Sequence, residues 1–462
     1  MEFKESRTSK EEVLRRAEEY VSRDMDPLSG RMWGHVYVLG APDVIELGKA
    51  LYLKFMDKTM LDFTVYPSVL RMENELVGMV SSLLHGDDEV VGNFTYGGTE
   101  SIILAMKAAR ERFERSSSGT PEIVLPATAH PAFRKAAEYL GMRVVTVKVD
   151  GQFRADLEDV KGKLGGNTVA LIASAPNYPF GTVDDVQAMA ELALDRGVWF
   201  HVDACVGGFL LPFLRELGED VPPFDFSLEG VSSVSADLHK YGYAPRGASI
   251  VLFRNAELRE GTVFAASKWP GYPVVNTAVL STRSAGTLAA SWGILIYLGR
   301  EGYRELAKRV LDARRRMETG LRNLGYKVLG EPKSGILAFT SDERDLAALP
   351  REMRKLNWFV QYQPGSREMG FPKSIHLTVA PGHDVLVDQF LKDLSSVSLT
   401  VEEEIRLPEG DLVRALGIEE GKLPEDFTVI NRLMHEAPPD LVEEVLKTAV
   451  NRYLFKPPSS GP

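Results

Sequence analysis

The sequence predicts an α/β fold with a mostly parallel sheet covered by helices on both faces, followed by a smaller α+β unit. The first observation is an alternation of helical and β-branched stretches from residue 67 to residue 286. Such an alternation specifies a parallel sheet, because each helix returns the chain to the same end of the next strand. The second observation is a change of pattern at residue 287, where long helical stretches begin. The third is the length of 462 residues, which indicates more than one domain.

The large unit, residues 67–286, contains helical patterns at 68–85, 99–114, 130–140 and 184–196. Its predicted strands are short β-branched runs at 123–125, 144–149, 169–173, 198–202 and 250–253. Ligands of such sheets bind at the carboxyl ends of the strands. The residues that we expect to gather at this edge are Gly98, His130, Asp203 and Lys240.

The remaining chain divides into three parts. Residues 1–66 read as an N-terminal arm, because helical patterns at 10–22 and 43–58 are separated by glycines and prolines. Residues 287–400 read as the small unit, with helices at 287–300 and 303–324 and strands at 335–340 and 375–378. Residues 401–462 form a C-terminal extension with two amphipathic helical patterns, for which we expect a packing or oligomer-contact role.

Charge and composition exclude several classes of function. The net charge of −11 argues against binding to nucleic acid, which depends on clustered Lys and Arg. The single cysteine, Cys205, excludes an internal disulfide framework and a cysteine-built metal site, and fits a reducing cytosol. Its expected role is a small buried side chain beside Asp203. The longest apolar stretch, 288–298, is interrupted by Ser291 and Gly293, so we expect a soluble, cytoplasmic protein.

Lys240 lies in the stretch SSVSADLHKYGYAPRGAS at 232–249, which predicts a strand, an exposed loop and a strand. A lysine in a loop is usually a solvated charge. A lysine that bonds to pyridoxal phosphate needs three supports: an anion cradle, a carboxylate for the pyridine nitrogen and a group that stacks on the ring. A catalytic role for Lys240 therefore requires all three elsewhere in the chain.

The chain contains a candidate for each support. The glycines of YGGTES at 96–101, followed by a helical run, offer an anion cradle, although an ordinary helix cap at Thr99 is the simpler interpretation of that motif alone. Asp203 ends an apolar strand-like run, where a charge is costly without a partner. His130 is the stacking candidate, although an isolated histidine is more often structural.

Five segments resemble, in the same order, the motifs of the sphingosine-1-phosphate lyase family: GGTESI, TAHPAFRKAAEYLGM, HVDACVGGFLLPF, PFDFSLEGVSSVSADLHKYGYAPRGASIVLF and STRSAGTLAASWG. That family belongs to the pyridoxal-phosphate decarboxylase-like group of the aspartate aminotransferase fold, fold type I. The resemblance covers residues 30–395, and HKYGYAP is specific to the lyase branch.

The resemblance implies a homodimer in which the arms wrap the second subunit, and it implies a role for each site residue. Lys240 would bond to the cofactor, Asp203 would pair with its ring nitrogen, and His130 would stack on the ring. The phosphate of the cofactor would be held by Gly98, Thr99 and His239, with Thr282 contributed by the other subunit. Tyr178 would take part in proton transfer, and Tyr37 and Arg246 would contact the substrate.

Three departures from the family pattern keep the reaction open. Asp62 and Phe180 stand where the family has histidines, and Arg246 stands where it has lysine. Arginine binds phosphates and carboxylates equally well. The first hypothesis is retro-aldol cleavage of a phosphorylated amino alcohol to an aldehyde and phosphoethanolamine. The second is α-decarboxylation of an amino acid. The third is a protein that binds the cofactor without turnover, against which Lys240 and its partners argue.

Overall fold

A seven-stranded sheet forms the centre of the computed structural model, which describes residues 5–114, 119–399 and 426–455. Its strands are β1 (Val91–Thr95), β2 (Glu122–Pro126), β3 (Arg143–Val147), β4 (Thr168–Ser174), β5 (Trp199–Asp203), β6 (Ser233–Ala236) and β7 (Ser249–Phe253). The spatial order is β1-β7-β6-β5-β4-β2-β3, and only β7 runs against its neighbours. The predicted mostly parallel sheet is confirmed.

Helices cover both faces of this sheet because alternate residues of each strand point to opposite sides. In β2, Val124 packs with one apolar cluster, whereas Ile123 and Leu125 pack with the other. The helices of the large unit are α3 (Pro67–Leu83), α4 (Gly98–Glu114), α5 (Ala132–Leu140), α6 (Leu157–Lys163), α7 (Val186–Arg196), α8 (Leu211–Glu216) and α9 (Ala256–Arg259). A hairpin of β8 (Phe264–Ala266) and β9 (Val274–Asn276) follows.

A second, antiparallel sheet lies after the long helix α10 (Gly286–Asn323), in which Gly299 adopts a non-helical conformation with φ of +53°. The break agrees with the two predicted helices. The strands are β10 (Lys327–Val328), β11 (Ile336–Thr340), β12 (Gln361–Gln363) and β13 (Ser374–Thr378), in the order β10-β11-β13-β12. The helices α11 (Leu349–Lys355) and α12 (Val387–Ser396) complete this α+β unit.

The N-terminal residues pack on both units of their own chain. Helix α1 (Lys10–Val21) has no buried residue, whereas α2 (Pro42–Phe55) lies against α10. Between them, Trp33 is fully buried in the core of the small sheet and stacks on His383, with ring centroids 4.2 Å apart. The backbone of Trp33 also donates to the Phe359 carbonyl. This segment therefore fixes residues 33–39 beside the junction of the two sheets.

The C-terminal residues include two helices, α13 (Thr428–Glu436) and α14 (Pro439–Ala449), while residues 401–425 and 456–462 of the predicted extension lie outside the described residues. Helix α13 packs on the small unit, where Asn431 donates to the Ala347 carbonyl and Arg432 pairs with Asp345. The domain limits at residues 66, 286 and 400 stay predictions. Across the described ranges, no helix has both the length and the apolar character that crossing a bilayer requires.

Candidate active site

A cavity of about 310 Å³ lies at the carboxyl edge of the large sheet. Segments that follow β1, β2, β4, β5 and β6 supply its walls, as expected for a mostly parallel sheet. The structure brings seven of the predicted site residues together there: Gly98, Thr99, His130, Tyr178, Asp203, His239 and Lys240. The three others, Tyr37, Arg246 and Thr282, lie outside this lining.

The cradle at the start of α4 combines an unusual backbone with a helix N-terminus. Gly97 has a φ of +123°, which favours glycine, and α4 begins at the next residue, Gly98. A Cβ at Gly98 would lie 2.8 Å and 2.9 Å from the two carboxylate oxygens of Asp237. The buried Glu100 carboxylate accepts from the backbone N–H groups of Tyr96 (2.6 Å) and Val279 (2.7 Å). The glycines therefore keep the helix N-terminus open to an anion in the cavity.

Asp203 and His130 face the cavity from neighbouring parts of the sheet edge. Asp203 ends β5, is 7% exposed, and accepts from the backbone N–H of Cys205 (3.1 Å). The His130 Nδ1 accepts from the backbone N–H of Ala132 (3.2 Å), so the neutral ring carries its proton on Nε2. Burial lowers the pKa of His130 more than Asp203 raises it, which favours that neutral ring. Both side chains are therefore oriented before any ligand enters.

Lys240 is ion-paired in the cavity to a residue that sequence reasoning missed. Its Nζ lies 2.9 Å from Oδ2 of Asp237, a side chain that is 3% exposed. Burial, the largest single influence, would lower the pKa of Lys240, but the acidic groups around it, Asp237 foremost, together outweigh burial and hold the pKa above its ordinary value. Asp237 follows β6 directly, as Asp203 ends the adjacent β5. Asp237 could therefore have been predicted from its strand end, as Asp203 was.

The segment around Lys240 is not an exposed loop, contrary to the expectation from its turn residues. Leu238 and Tyr241 are fully buried, and the Tyr241 hydroxyl donates to the Val379 carbonyl of the small unit (2.8 Å). The reason is tertiary: the small unit covers residues 237–244, which the local pattern of glycine and proline could not indicate. His239 is fixed as well, since its Nδ1 donates to the Ala248 carbonyl (2.6 Å).

The small unit contributes an uncharged wall to the site through Tyr178. The Tyr178 hydroxyl donates to Oε1 of Gln361 on β12 (3.0 Å), and its ring stacks on His376 of β13 with centroids 4.3 Å apart. Burial lowers the pKa of His376 to about 3, so this imidazole is neutral. Sequence reasoning missed Gln361 and His376, because neither forms part of a chemical motif and both come close only through the packing of the two sheets.

Tyr37 and Arg246 lie near the cavity rather than in its lining. The Tyr37 ring packs edge-on against Tyr241, with centroids 4.9 Å apart, and Lys240 acts on its pKa, which burial raises. Arg246 is exposed, and its guanidinium donates to the His35 carbonyl. His35 has a φ of +61°, which is uncommon for a residue other than glycine. The N-terminal segment thus fixes the arginine beside Tyr37.

Thr282 and the residues that depart from the family pattern have other surroundings. Thr282 is exposed on its own chain. Asp62 is also exposed, and its Oδ1 accepts a hydrogen bond from the backbone N–H of Thr64 (2.9 Å) in a local turn. Phe180 stacks on Phe153 with centroids 3.9 Å apart. Neither departure introduces a charge into the lining of the cavity.

The residues present fit pyridoxal phosphate. The cavity offers a lysine, a carboxylate at a strand end, an imidazole and a glycine-lined helix N-terminus, which are the supports that this cofactor requires. Two buried oxygens on its walls, Oδ1 of Asp237 and Oγ of Ser174, have no hydrogen-bond partner in the described structure. Such atoms are costly unless a ligand or water meets them. The donor set and these atoms together favour a polar ligand of this kind.

Comparisons with known proteins agree with this site. The model of the pyridoxal-dependent decarboxylase conserved domain matches residues 35–341. The chain is 36% identical to a sphingosine-1-phosphate lyase of Arabidopsis thaliana, over 88% of this chain and 75% of that protein. It is 33% identical to a probable L-tyrosine/L-aspartate decarboxylase of Methanothermobacter thermautotrophicus, over 81% of this chain and 99% of that one.

A solved structure is similar over the same range. The sphingosine-1-phosphate lyase of Burkholderia pseudomallei superposes with a TM-score of 0.80 at 35% identity, covering 85% of this chain and 91% of that one. The predicted fold class, family and cofactor are thereby confirmed. The chain belongs to the pyridoxal-dependent decarboxylase family, as a pyridoxal-phosphate-dependent lyase similar to the sphingosine-1-phosphate lyases.

Proposed function

We propose that the protein cleaves the Cα–Cβ bond of a phosphorylated long-chain amino alcohol, giving an aldehyde and phosphoethanolamine. The bound cofactor supplies an electron-accepting ring that stabilises the charge left on Cα when a bond to it breaks. The protein must then hold the substrate so that this bond, and no other, is aligned with the ring. Similarity over most of the chain to sphingosine-1-phosphate lyases supports the proposal.

The observation that carries the proposal is the surroundings of Arg246. The guanidinium donates to the His35 carbonyl and lies close enough to Tyr37 and Tyr178 to oppose part of the rise that burial causes in the pKa of both hydroxyls. Arginine offers a planar fork that matches a phosphate, and a neighbouring tyrosine hydroxyl can add a further donor. We infer that the substrate phosphate binds between Arg246 and Tyr37.

The other residues would act by holding the cofactor and moving protons. Lys240 would carry the covalent link, Asp203 would keep the ring nitrogen protonated, and His130 would cover one face of the ring. Gly98, Thr99 and His239 would surround the cofactor phosphate. Tyr178 is the candidate for exchanging a proton with the substrate β-hydroxyl, because burial keeps its hydroxyl neutral and Gln361 orients it.

Amino-acid decarboxylation is the second candidate, favoured by the similarity to a probable L-tyrosine/L-aspartate decarboxylase. A decarboxylase must hold a carboxylate that is bonded directly to the reacting carbon. In the described structure the small unit presents Gln361, Thr378 and neutral His376 to Tyr178, none of which is a cation. That wall suits a neutral β-hydroxyl better than a carboxylate.

The test is a product analysis of the purified, cofactor-loaded protein by mass spectrometry. Incubation with dihydrosphingosine-1-phosphate is expected to yield phosphoethanolamine and a long-chain aldehyde. Release of carbon dioxide from L-tyrosine, L-aspartate or L-glutamate, without cleavage of dihydrosphingosine-1-phosphate, would replace the proposal by amino-acid decarboxylation. Bound cofactor with neither product would support a protein without turnover.

A matched pair of arginine variants tests the phosphate site. Arg246→Ala is expected to raise KM for the phosphorylated substrate ~10-fold or more, the effect of losing a charge-assisted hydrogen bond of ~1.5–3 kcal/mol. The control is Arg112→Ala, which removes an exposed arginine at the other end of α4 that pairs with exposed Glu257. An unchanged KM in Arg246→Ala would move the phosphate elsewhere.

We also propose a homodimer in a reducing cytoplasm. Large apolar side chains are exposed on residues 63–65 and 264–280, close in sequence to Asp62 and Thr282: Phe63, Val65, Phe264, Trp269, Tyr272, Val279 and Leu280. A partner subunit would cover these side chains, and Thr282 of each subunit would then reach the active site of the other. Light scattering at micromolar concentration is expected to give twice the chain mass of 51.2 kDa.

Buried Cys205, the single cysteine, fits the reducing cytoplasm that we propose as the compartment, and cell fractionation would test it.

A further inference from the structure

Asp237 is a buried carboxylate that the roles above do not use. Asp237 follows β6 directly and is 2% exposed, and its Oδ2 lies 2.9 Å from Nζ of Lys240. The second oxygen, Oδ1, is buried without a hydrogen-bond partner. A carboxylate in such a place is costly unless a positive charge compensates it. The ammonium of Lys240 is that charge.

The position of the carboxylate is set by the cradle. Its oxygens lie against Gly98, where a Cβ would be only 2.8 Å and 2.9 Å away, so that only glycine leaves the carboxylate its place. His239 is also near the carboxylate, with Nε2 at 3.7 Å from Oδ2. The carboxylate of Asp237 is therefore held at one place, in contact with Gly98 and Lys240 and near His239.

We propose that Asp237 is the positioning residue of Lys240: it fixes the ε-nitrogen at the cradle end of the cavity and is its counter-ion both before and after the cofactor binds. The proposal uses the proposed function only for the identity of the cofactor. When the ε-ammonium condenses with an aldehyde, a C=N bond forms, one water leaves, and the nitrogen keeps its positive charge. The charge that faces Asp237 is thus the same in both states, and the buried carboxylate never loses its partner.

Other groups around Lys240 do not replace Asp237. The acidic groups that act on the lysine are Asp237, Tyr37, Cys205 and Asp203, and the groups on which the lysine acts include His130, His239 and Tyr178. Burial keeps the Tyr37 hydroxyl and the Cys205 thiol neutral by raising the pKa of each. Asp203 acts without an ion pair to Lys240 within 4 Å, whereas Asp237 is in direct contact.

The test measures the protonation of Lys240 without cofactor or substrate. The cofactor is stripped from the full-length protein, and acetylation of Lys240 by acetic anhydride is followed by peptide mass spectrometry over a range of pH, with surface lysines as internal standards. In Asp237→Asn the midpoint of labelling is expected to fall by ~1–3 pH units, the usual effect of removing an adjacent opposite charge. An unchanged midpoint would overturn the proposal.

A control separates this effect from general destabilisation. Asp225 is also fully buried, and it pairs with His85 at 3.0 Å rather than with Lys240. Asp225→Asn is expected to lower the unfolding midpoint while leaving the labelling midpoint of Lys240 as in the wild type. Asp237→Ser is a second variant, because it removes the same charge with a smaller side chain.

A second measurement addresses the loaded protein. The visible absorbance of bound cofactor is titrated with pH, and its apparent pKa is expected to fall by at least ~1 unit in Asp237→Asn. If the titration curves of the wild type and Asp237→Asn coincided, that result would contradict the counter-ion role. Both measurements are independent of which substrate is cleaved, so failure of the proposed reaction leaves them unaffected, and their failure leaves the reaction unaffected.

Discussion

Gly335, directly before β11, lies under the tyrosine that follows the active-site lysine, and we predict that Gly335→Ala slows catalysis from outside the cavity. A Cβ at this position would lie 2.0 Å from the Tyr241 hydroxyl oxygen and 2.5 Å from the Val379 carbonyl oxygen. The first contact can be relieved only if Tyr241 moves, and the second involves backbone. Tyr241 is fully buried and its hydroxyl donates to that same carbonyl.

The magnitude follows from the distances. Non-bonded atoms in proteins approach to ~3.5 Å, so the tyrosine oxygen must retreat by ~1.5 Å from the new methyl group. Overpacking of this kind costs ~1–3 kcal/mol of folding free energy. Because Tyr241 is covalently adjacent to Lys240, part of the movement reaches the reacting nitrogen. A misplacement near 1 Å can cost ~100-fold in rate, so we expect kcat to fall ~10- to 100-fold.

The assay compares kcat for the proposed cleavage with the free energy of unfolding in denaturant. Gly78→Ala is the matched control, because a Cβ there would meet nothing within 4 Å and the helix α3 should gain ~0.5–1 kcal/mol. The double variant Gly335→Ala/Tyr241→Phe removes the atom at 2.0 Å and is expected to recover part of the rate. A wild-type kcat in Gly335→Ala would refute the reasoning.

Three further predictions follow from single contacts. Tyr178→Phe removes the hydroxyl that donates to Gln361, and kcat is expected to fall ~100-fold with the visible absorbance of the bound cofactor unchanged; an unaffected rate would leave Tyr178 a packing residue. Burial raises the pKa of Asp184 from 3.8 to about 6, despite bonds from the backbone N–H groups of Ser174 and Ala155. The contribution of Asp184 to stability is therefore present below pH 3.8 and lost as pH rises through 6. The stability advantage of wild type over Asp184→Asn should thus shrink by ~2–2.5 kcal/mol between pH 4 and pH 7 in denaturant unfolding, whereas a constant difference would contradict that pKa. Trp33→Ala empties a fully buried site beside His383 and is expected to cost ~3–5 kcal/mol in the same measurement, with a loss under 1 kcal/mol excluding a core role.

Local periodicity was enough to predict most helices and strands of the large unit, because each has apolar residues at its own spacing. Helix α7 (Val186–Arg196) lies within the predicted 184–196, and β4 (Thr168–Ser174) extends the predicted 169–173 by one residue at each end. Strand β12 was missed, since Gln-Tyr-Gln at 361–363 has no apolar alternation and is only half buried. Its existence depends on pairing with β13, which no local pattern encodes.

The candidate site divides in the same way. Gly98, Asp203 and Lys240 could be predicted because each lies next to a strand end or helix start that the sequence shows. Gln361 and His376 could not, because they reach Tyr178 only through the packing of the small sheet on the large one. Burial of the segment that follows Lys240 was unpredictable for the same reason, since the covering residue, Val379, is 138 positions away in sequence.

The distribution of charge gives the site a direction. The carboxylates Asp203 and Asp237 lie at the ends of adjacent strands, inside the cavity with Lys240, whereas Arg246 lies outside the cavity lining beside the N-terminal segment. An amino alcohol phosphate carries its positive amine and its negative phosphate at separate positions. Such a substrate can place the amine near the carboxylates and the phosphate at the guanidinium at the same time. An α-amino acid without an acidic side chain, such as L-tyrosine, has both charged groups on one carbon and cannot satisfy both ends, which is the electrostatic reason for favouring the phosphorylated amino alcohol over it. L-aspartate and L-glutamate carry a second carboxylate that can reach the guanidinium, so for them the preference rests on the uncharged groups beside Tyr178.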